Sequence, residues 1–159
     1  MTDGVRRTCC FFGHREINET IALKEEVLAL IEHLIETEKV GVFLFGSKSR
    51  FNDLCYEIVS LIKQKHPNIK RVYVRAQHPY ISDSYKEYLL EKYEETYYPE
   101  KVIGAGRASY LVRNYEMIKR SDICVVYYQP DFTPNTGKSG TKLALDFAIL
   151  KGKQIITFP

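Results

Sequence analysis

The chain has 159 residues, 45% of them apolar and 27% charged, a length and composition that suit one domain built around one core. Its net charge of +3 falls well short of the clustered basic excess of a dedicated DNA binder. No run approaches ~18 consecutive apolar residues, which argues against a membrane span, and the N-terminal MTDGVRRTCCFFGHRE carries too short an apolar run for a secretory leader.

Taken in order, the elements alternate. Arg7 to Phe12 is an apolar run ended by Gly13, the signature of a buried strand. Residues 18–38 predict a helix capped by Asn18, with Ile21, Val27, Leu28, Ile31, Leu34 and Ile35 as its apolar stripe. Val40 to Phe45 predicts a second strand, ended by Gly46. Residues 52–65 predict a helix with Leu54, Ile58, Leu61 and Ile62 on one face, stopped by Pro67. Ile69 to Val74 reads as a third strand, residues 83–95 as a helix carrying Tyr85, Leu89 and Tyr93, and Pro99 to Arg107 as a loop or short strand. Leu111, Tyr115 and Ile118 mark a helix over 108–120. Ile123 to Tyr128 is a strand, residues 129–139 a loop and 141–151 a helix. Gly152 caps that helix, and Gln154 to Phe158 is the last strand.

Such alternation needs crossover connections. It therefore predicts an α/β, Rossmann-like three-layer domain over residues 1–159, with a mainly parallel sheet of five or six strands and helices on both faces. In sheets of this kind ligands bind beyond the carboxyl ends of the strands, so the segments after strands are the ones to inspect.

The four cysteines, Cys9, Cys10, Cys55 and Cys124, lie in strand-like runs or an amphipathic helix. Adjacent Cys9 and Cys10 point to opposite strand faces, which argues against a shared metal site. They read as reduced, buried thiols of a cytoplasmic protein. No CxxC or HExxH spacing occurs, and no metal or cofactor is expected. Of the twelve tyrosines, nine fall in the stretch from Tyr73 to Tyr115. They form either a base-stacking surface or an amphipathic wall with packed rings and wet hydroxyls, and the wall is the favoured reading of the set.

Three post-strand segments could carry chemistry. Gly13-His14-Arg15 combines a turn glycine with a guanidinium able to fork onto phosphate, and His14 is either an acid–base group or polar filler. In the segment Phe45 to Asp53, Gly46 and Ser47 lead into a helix start where amides and hydroxyls can meet an anion. Asp53 either accepts a ribose hydroxyl or complements the helix dipole. Thr136 to Lys142 places Ser139, Gly140 and Thr141 at a helix N-terminus, with Ser139 or Thr141 as cap. It is not a P-loop, because Phe132 stands where GxxxxGK[ST] needs glycine. A fourth candidate is Arg113-Asn114, on the helix before the Ile123 strand. An arginine there can reach a ligand while Met117 packs inward.

The segments CCFFGHR (Cys9 to Arg15), FLFGSKSRFND (Phe43 to Asp53), RNYEMIKRSD (Arg113 to Asp122) and SGTKLALDFA (Ser139 to Ala148), in this order, resemble the SLOG superfamily. This Rossmann-like group includes the Lonely Guy phosphoribohydrolases and the DNA-processing protein A fold. The closest likeness is to small bacterial or phage members with a GHR-type turn. The resemblance implies a pocket for a nucleotide or nucleotide-derived ligand, formed by Gly13, Arg15, Gly46, Ser47, Asp53, Arg113, Asn114, Ser139, Gly140 and Thr141. Superfamily members often associate, so it also implies a homo-oligomer, with the tyrosine-rich middle as a candidate interface.

The hydrolase members carry an RKxxM helix and a glutamate just after a PGGxGT turn. Arg113 and Met117 fit the first pattern, with Asn114 in place of lysine. The second fails: Lys142, Leu143 and Ala144 follow Thr141, and no carboxylate appears before Asp146. Glycosidic cleavage needs an acid near the anomeric carbon. The leading expectation is therefore a nucleotide-binding sensor, sequestering protein or regulator. The alternative is a hydrolase of the N-glycosidic bond of a nucleoside monophosphate, oriented by Arg113 with Asp53, Glu116 or Asp146 as acid. A third reading is single-strand nucleic-acid binding through Lys48, Arg50, Lys138 and Lys142, which the modest net charge disfavours.

Overall fold

The apolar run of the first strand becomes the centre of a six-stranded parallel sheet. The computed structural model describes residues 6–130 and 139–159. In chain order the elements are β1 (Arg7–Gly13), α1 (Ile21–Glu36), β2 (Val40–Phe45), α2 (Arg50–Ile62), β3 (Lys70–Val74), α3 (Asp83–Lys92), β4 (Glu95–Tyr97), α4 (Ser109–Arg120), β5 (Ile123–Tyr127), α5 (Gly140–Leu150) and β6 (Gln154–Phe158), with short 3-10 turns at Glu100–Val102 and Gly106–Ala108. The sheet order is β4-β3-β2-β1-β5-β6, and every pairing is parallel. The chain runs outward from β1 to β4, then returns to lay β5 on the other side of β1. The strand order thus reverses between β1 and β5, which opens a crevice at their carboxyl ends.

Strand alternation divides the core into two layers. Cys9, Phe11, Phe43, Phe45, Val125 and Tyr127 pack with α1 and α2 on one face. Cys10, Phe12, Leu44, Val72, Val74, Cys124 and Val126 pack with Met117 and Ile118 of α4 and Ala144 and Ala148 of α5 on the other. Helices on both faces of a parallel sheet make this a Rossmann-like three-layer α/β fold. The four cysteines are buried free thiols, Cys9 and Cys10 on opposite faces as the pleat requires. Burial pushes the Cys9, Cys10 and Cys55 thiols above their ordinary range. Among the described residues, no helix is long and apolar enough to cross a membrane.

Several boundaries differ from expectation by one to three residues, three of them with an identifiable local cause. The cap of α1 is Thr20, whose hydroxyl accepts from the Leu23 N–H (3.0 Å), rather than Asn18. Helix α2 starts at Arg50, because Ser49 caps it by accepting from the Asn52 N–H (3.0 Å). Helix α3 ends at Lys92 rather than 95. Tyr93 is extended, and Glu95–Tyr97 pairs with Val72–Val74 as a strand. Cross-strand polar contacts hold that short edge: Arg71 forks onto Glu94 (2.7 and 3.1 Å), Lys70 meets Glu95 (2.9 Å), and the Thr96 hydroxyl donates to the Tyr73 carbonyl (2.9 Å).

Candidate functional site

At the carboxyl ends of the strands lies a cavity of about 720 Å³, a volume within the ordinary range for small-molecule sites. Among the described residues, four pieces of chain wall it: Phe12 to Glu16 at and just beyond the end of β1, Ser47 to Ser49 after β2, Tyr110, Arg113 and Asn114 on α4, and Ser139 to Thr141 at the start of α5. One backbone bond ties the first piece to the second, and a side-chain contact braces the second internally. The Arg50 N–H donates to the Arg15 carbonyl (2.9 Å), and the Ser47 hydroxyl lies 3.4 Å from Asn52 Oδ1.

Arg113 is the most unusual group in this wall. It is 3% exposed, yet it is ionisable and lines the cavity. Its Nε donates to Asn114 Oδ1 (2.9 Å) and its Nη1 to the Val74 carbonyl (3.3 Å). No carboxylate pairs with it among the described residues, and no bond there reaches Nη2. Burial lowers its pKa to about 10, so it still carries its charge at neutral pH. Gly46 makes room for this side chain: a Cβ there would stand 2.7 Å from the Val74 carbonyl oxygen and 3.1 Å from Arg113 Nη1. The ring of Tyr110, one helical turn before, lies 5.6 Å from the guanidinium carbon.

The start of α5 supplies donors. Ser139 is the cap, accepting from the Lys142 N–H (3.1 Å), and its carbonyl accepts from the Leu143 N–H (3.0 Å). The Gly140 and Thr141 N–H groups, the next donors at this end, have no partner among the described residues. The Thr136-Gly137-Lys138 part of that segment lies outside the described residues. Among the described residues, cations outnumber acids in the wall: Arg15, Lys48 and Arg113 against Glu16.

His14 links β1 to β5. The Gln129 N–H donates to its Nε2 (2.8 Å), and its ring packs beside Tyr127 and Tyr128. Burial holds the imidazole below its ordinary value, and an accepting Nε2 requires the neutral ring. The stability this contributes is full above the ordinary histidine value of about 6.5 and declines as pH falls through the lower folded value. Thermal melts across pH 5 to 8 are therefore expected to show a smaller acid loss in His14→Gln than in wild type. Equal losses would separate His14 from the acid sensitivity.

Of the residues expected at the site, Gly13, His14, Arg15, Ser47, Arg113, Asn114, Ser139, Gly140 and Thr141 line the cavity, and Gly46 sits against Arg113. Asp53 is exposed in the first turn of α2 and is not among the lining residues. Glu116 and Asp146 also lie outside the lining, in ion pairs with Lys119 and Lys142 (both 2.9 Å). Tyr110, Lys48 and Glu16 belong to the wall but were not among the expected ligand residues. Tyr110 was legible in principle, since it precedes Arg113 by three residues on one helix.

The tyrosines divide. Tyr56, Tyr73 and Tyr93 pack together (Tyr73 to Tyr93 5.2 Å, Tyr56 to Tyr93 4.9 Å), and Tyr115 stacks on Phe147 at 4.0 Å. These are wall. Tyr80, Tyr85, Tyr88 and Tyr110 are exposed.

Fold and cavity together define an α/β domain of Rossmann-like architecture with a crevice at its strand-order reversal. No protein-family profile matches the chain, and no curated protein proved similar to it.

Proposed function

We propose that the chain binds a nucleotide or nucleotide-derived phosphate ligand in this cavity, as a sensor, sequestering protein or regulator of the SLOG type. The carrying observation is Arg113, a buried guanidinium on the cavity wall without a carboxylate partner among the described residues. A buried charge is costly unless an opposite charge meets it. An anionic ligand supplies that charge, and the Gly140 and Thr141 amides at the positive end of α5 complete a phosphate cradle. Isothermal titration against nucleoside mono- and diphosphates, cyclic nucleotides and ADP-ribose-like compounds tests the reading. Absence of binding at millimolar ligand sinks it. Homo-oligomerisation is part of the same proposal and is read by light scattering.

One observation favours a second reading, hydrolysis of the N-glycosidic bond of a nucleoside monophosphate. Glu16 is a carboxylate in the cavity wall, where Asp53, Glu116 and Asp146 are not. On this reading Glu16 activates water, which attacks the anomeric carbon as the bond to the base breaks and the base leaves with a proton. Glu16→Gln is expected to cut base release at least 100-fold while nucleotide binding persists. Release that survives the substitution rules out this role. The nucleic-acid reading finds less support, since Arg50 is paired with Glu19 and Glu57 and Lys142 with Asp146. Lys138 lies outside the described residues.

A further inference from the structure

We infer that Tyr110 is the stacking platform for the ligand's base, so that the site takes a nucleoside phosphate rather than a bare sugar phosphate. The inference rests on the phosphate-binding reading above and adds the part of the ligand that reading leaves unassigned. Among the described residues, three aromatic rings line the cavity: Phe12, His14 and Tyr110. Phe12 is 2% exposed and belongs to the core under α4 and α5. His14 is packed beside Tyr127 and Tyr128 and held by the Gln129 N–H. Tyr110 is 42% exposed, so of the three it presents substantial ring surface while still lining the cavity.

Its position suits the role. Tyr110 stands one turn before Arg113, and the guanidinium carbon lies 5.6 Å from its ring centroid. A phosphate held by Arg113 would therefore sit beside Tyr110, close enough for a base joined to it through a sugar to reach the ring. The cation also pins the ring, which lowers the ordering cost of stacking. Tyrosine offers a flat apolar face at little entropic cost, and every base has a π-face to match it.

The test is titration of the full chain with adenosine 5′-monophosphate and with ribose 5-phosphate. Wild type is expected to bind the nucleotide about tenfold or more tightly than the sugar phosphate. Tyr110→Leu, which keeps apolar bulk over Arg113, is expected to erase that margin by weakening the nucleotide far more than ribose 5-phosphate; Tyr110→Phe is expected to retain the margin. The chain has no tryptophan, so Tyr110→Trp provides an independent readout: its emission is expected to be quenched by the nucleotide and not by the sugar phosphate. Equal weakening of both ligands in Tyr110→Leu, or a wild type that binds both alike, overturns the stacking role while phosphate binding stands. Binding of neither probe nor of any other nucleotide tested overturns the parent reading itself.

Discussion

Replacing Arg113 with methionine is expected to reduce affinity for phosphate ligands by at least 100-fold while the fold keeps or gains stability. The two effects have one cause. The guanidinium is 3% exposed and sits among Val74, Gly46, Asn114 and Tyr110 without an acidic partner in the described residues. Its lowered pKa, about 10, reports the same desolvation. In the unliganded protein that charge is a cost. Two hydrogen bonds, one of them long at 3.3 Å, offset it only in part. Methionine has similar length and flexibility and removes the charge, so a gain of about 1 kcal/mol is expected without ligand. With ligand the order reverses, because the anion loses the charged, hydrogen-bonding group that it would meet in a low-dielectric site. Urea denaturation without ligand and titration with phosphate ligands read the two halves. A variant destabilised by more than 2 kcal/mol would show that Arg113 serves the fold. Unchanged phosphate affinity would remove it from the site.

Gly13→Ala is expected to cost about 2–3 kcal/mol, a fall of roughly 5–10 °C in melting temperature for a chain of this size. A Cβ on Gly13 would stand 2.4 Å from Phe51 Cβ and 2.7 Å from the ring atoms Cγ and Cδ2. Phe51 has no room to retreat. It is fully buried, with Tyr127 at 5.4 Å on one side and Phe158 at 6.1 Å on another. The strain must spread into the β1–α2 junction, where Gly13 to Glu16 wall the cavity, so ligand affinity should fall with stability. Adding Phe51→Leu is expected to relieve part of the clash, making the double variant less destabilised than the two single losses combined. A Gly13→Ala protein within 0.5 kcal/mol of wild type would contradict the close approach.

Much of this molecule was readable residue by residue, and the reason is periodicity. Buried parallel strands appear as short continuous apolar runs, and helices lying on them as stripes at 3.6-residue spacing. Runs such as Val40–Phe45 and Ile123–Tyr127 therefore announced themselves, and alternation implied a parallel sheet with ligand loops after the strands. Gly13 and Gly46 were recognisable as post-strand glycines. That one accommodates Phe51 and the other Arg113 depended on which helices pack there.

Where the information is not local, sequence was silent. Strand β4 has three residues, none of them buried, and owes its extended form to pairing with β3. Asn18 and Thr20 are both competent caps by residue type, and the helix takes Thr20, whose hydroxyl accepts from the Leu23 N–H. Tyr110 and Glu16 became wall residues only when α4 and the β1 loop met across the crevice. Above all, a sequence of 23 basic and 20 acidic residues cannot say which arginine lacks a partner. Arg50 and Arg71 find carboxylates, whereas none pairs with Arg113 among the described residues. Charge pairing is a property of three-dimensional neighbours, so only the tertiary structure could single out Arg113 as the buried charge on the cavity wall.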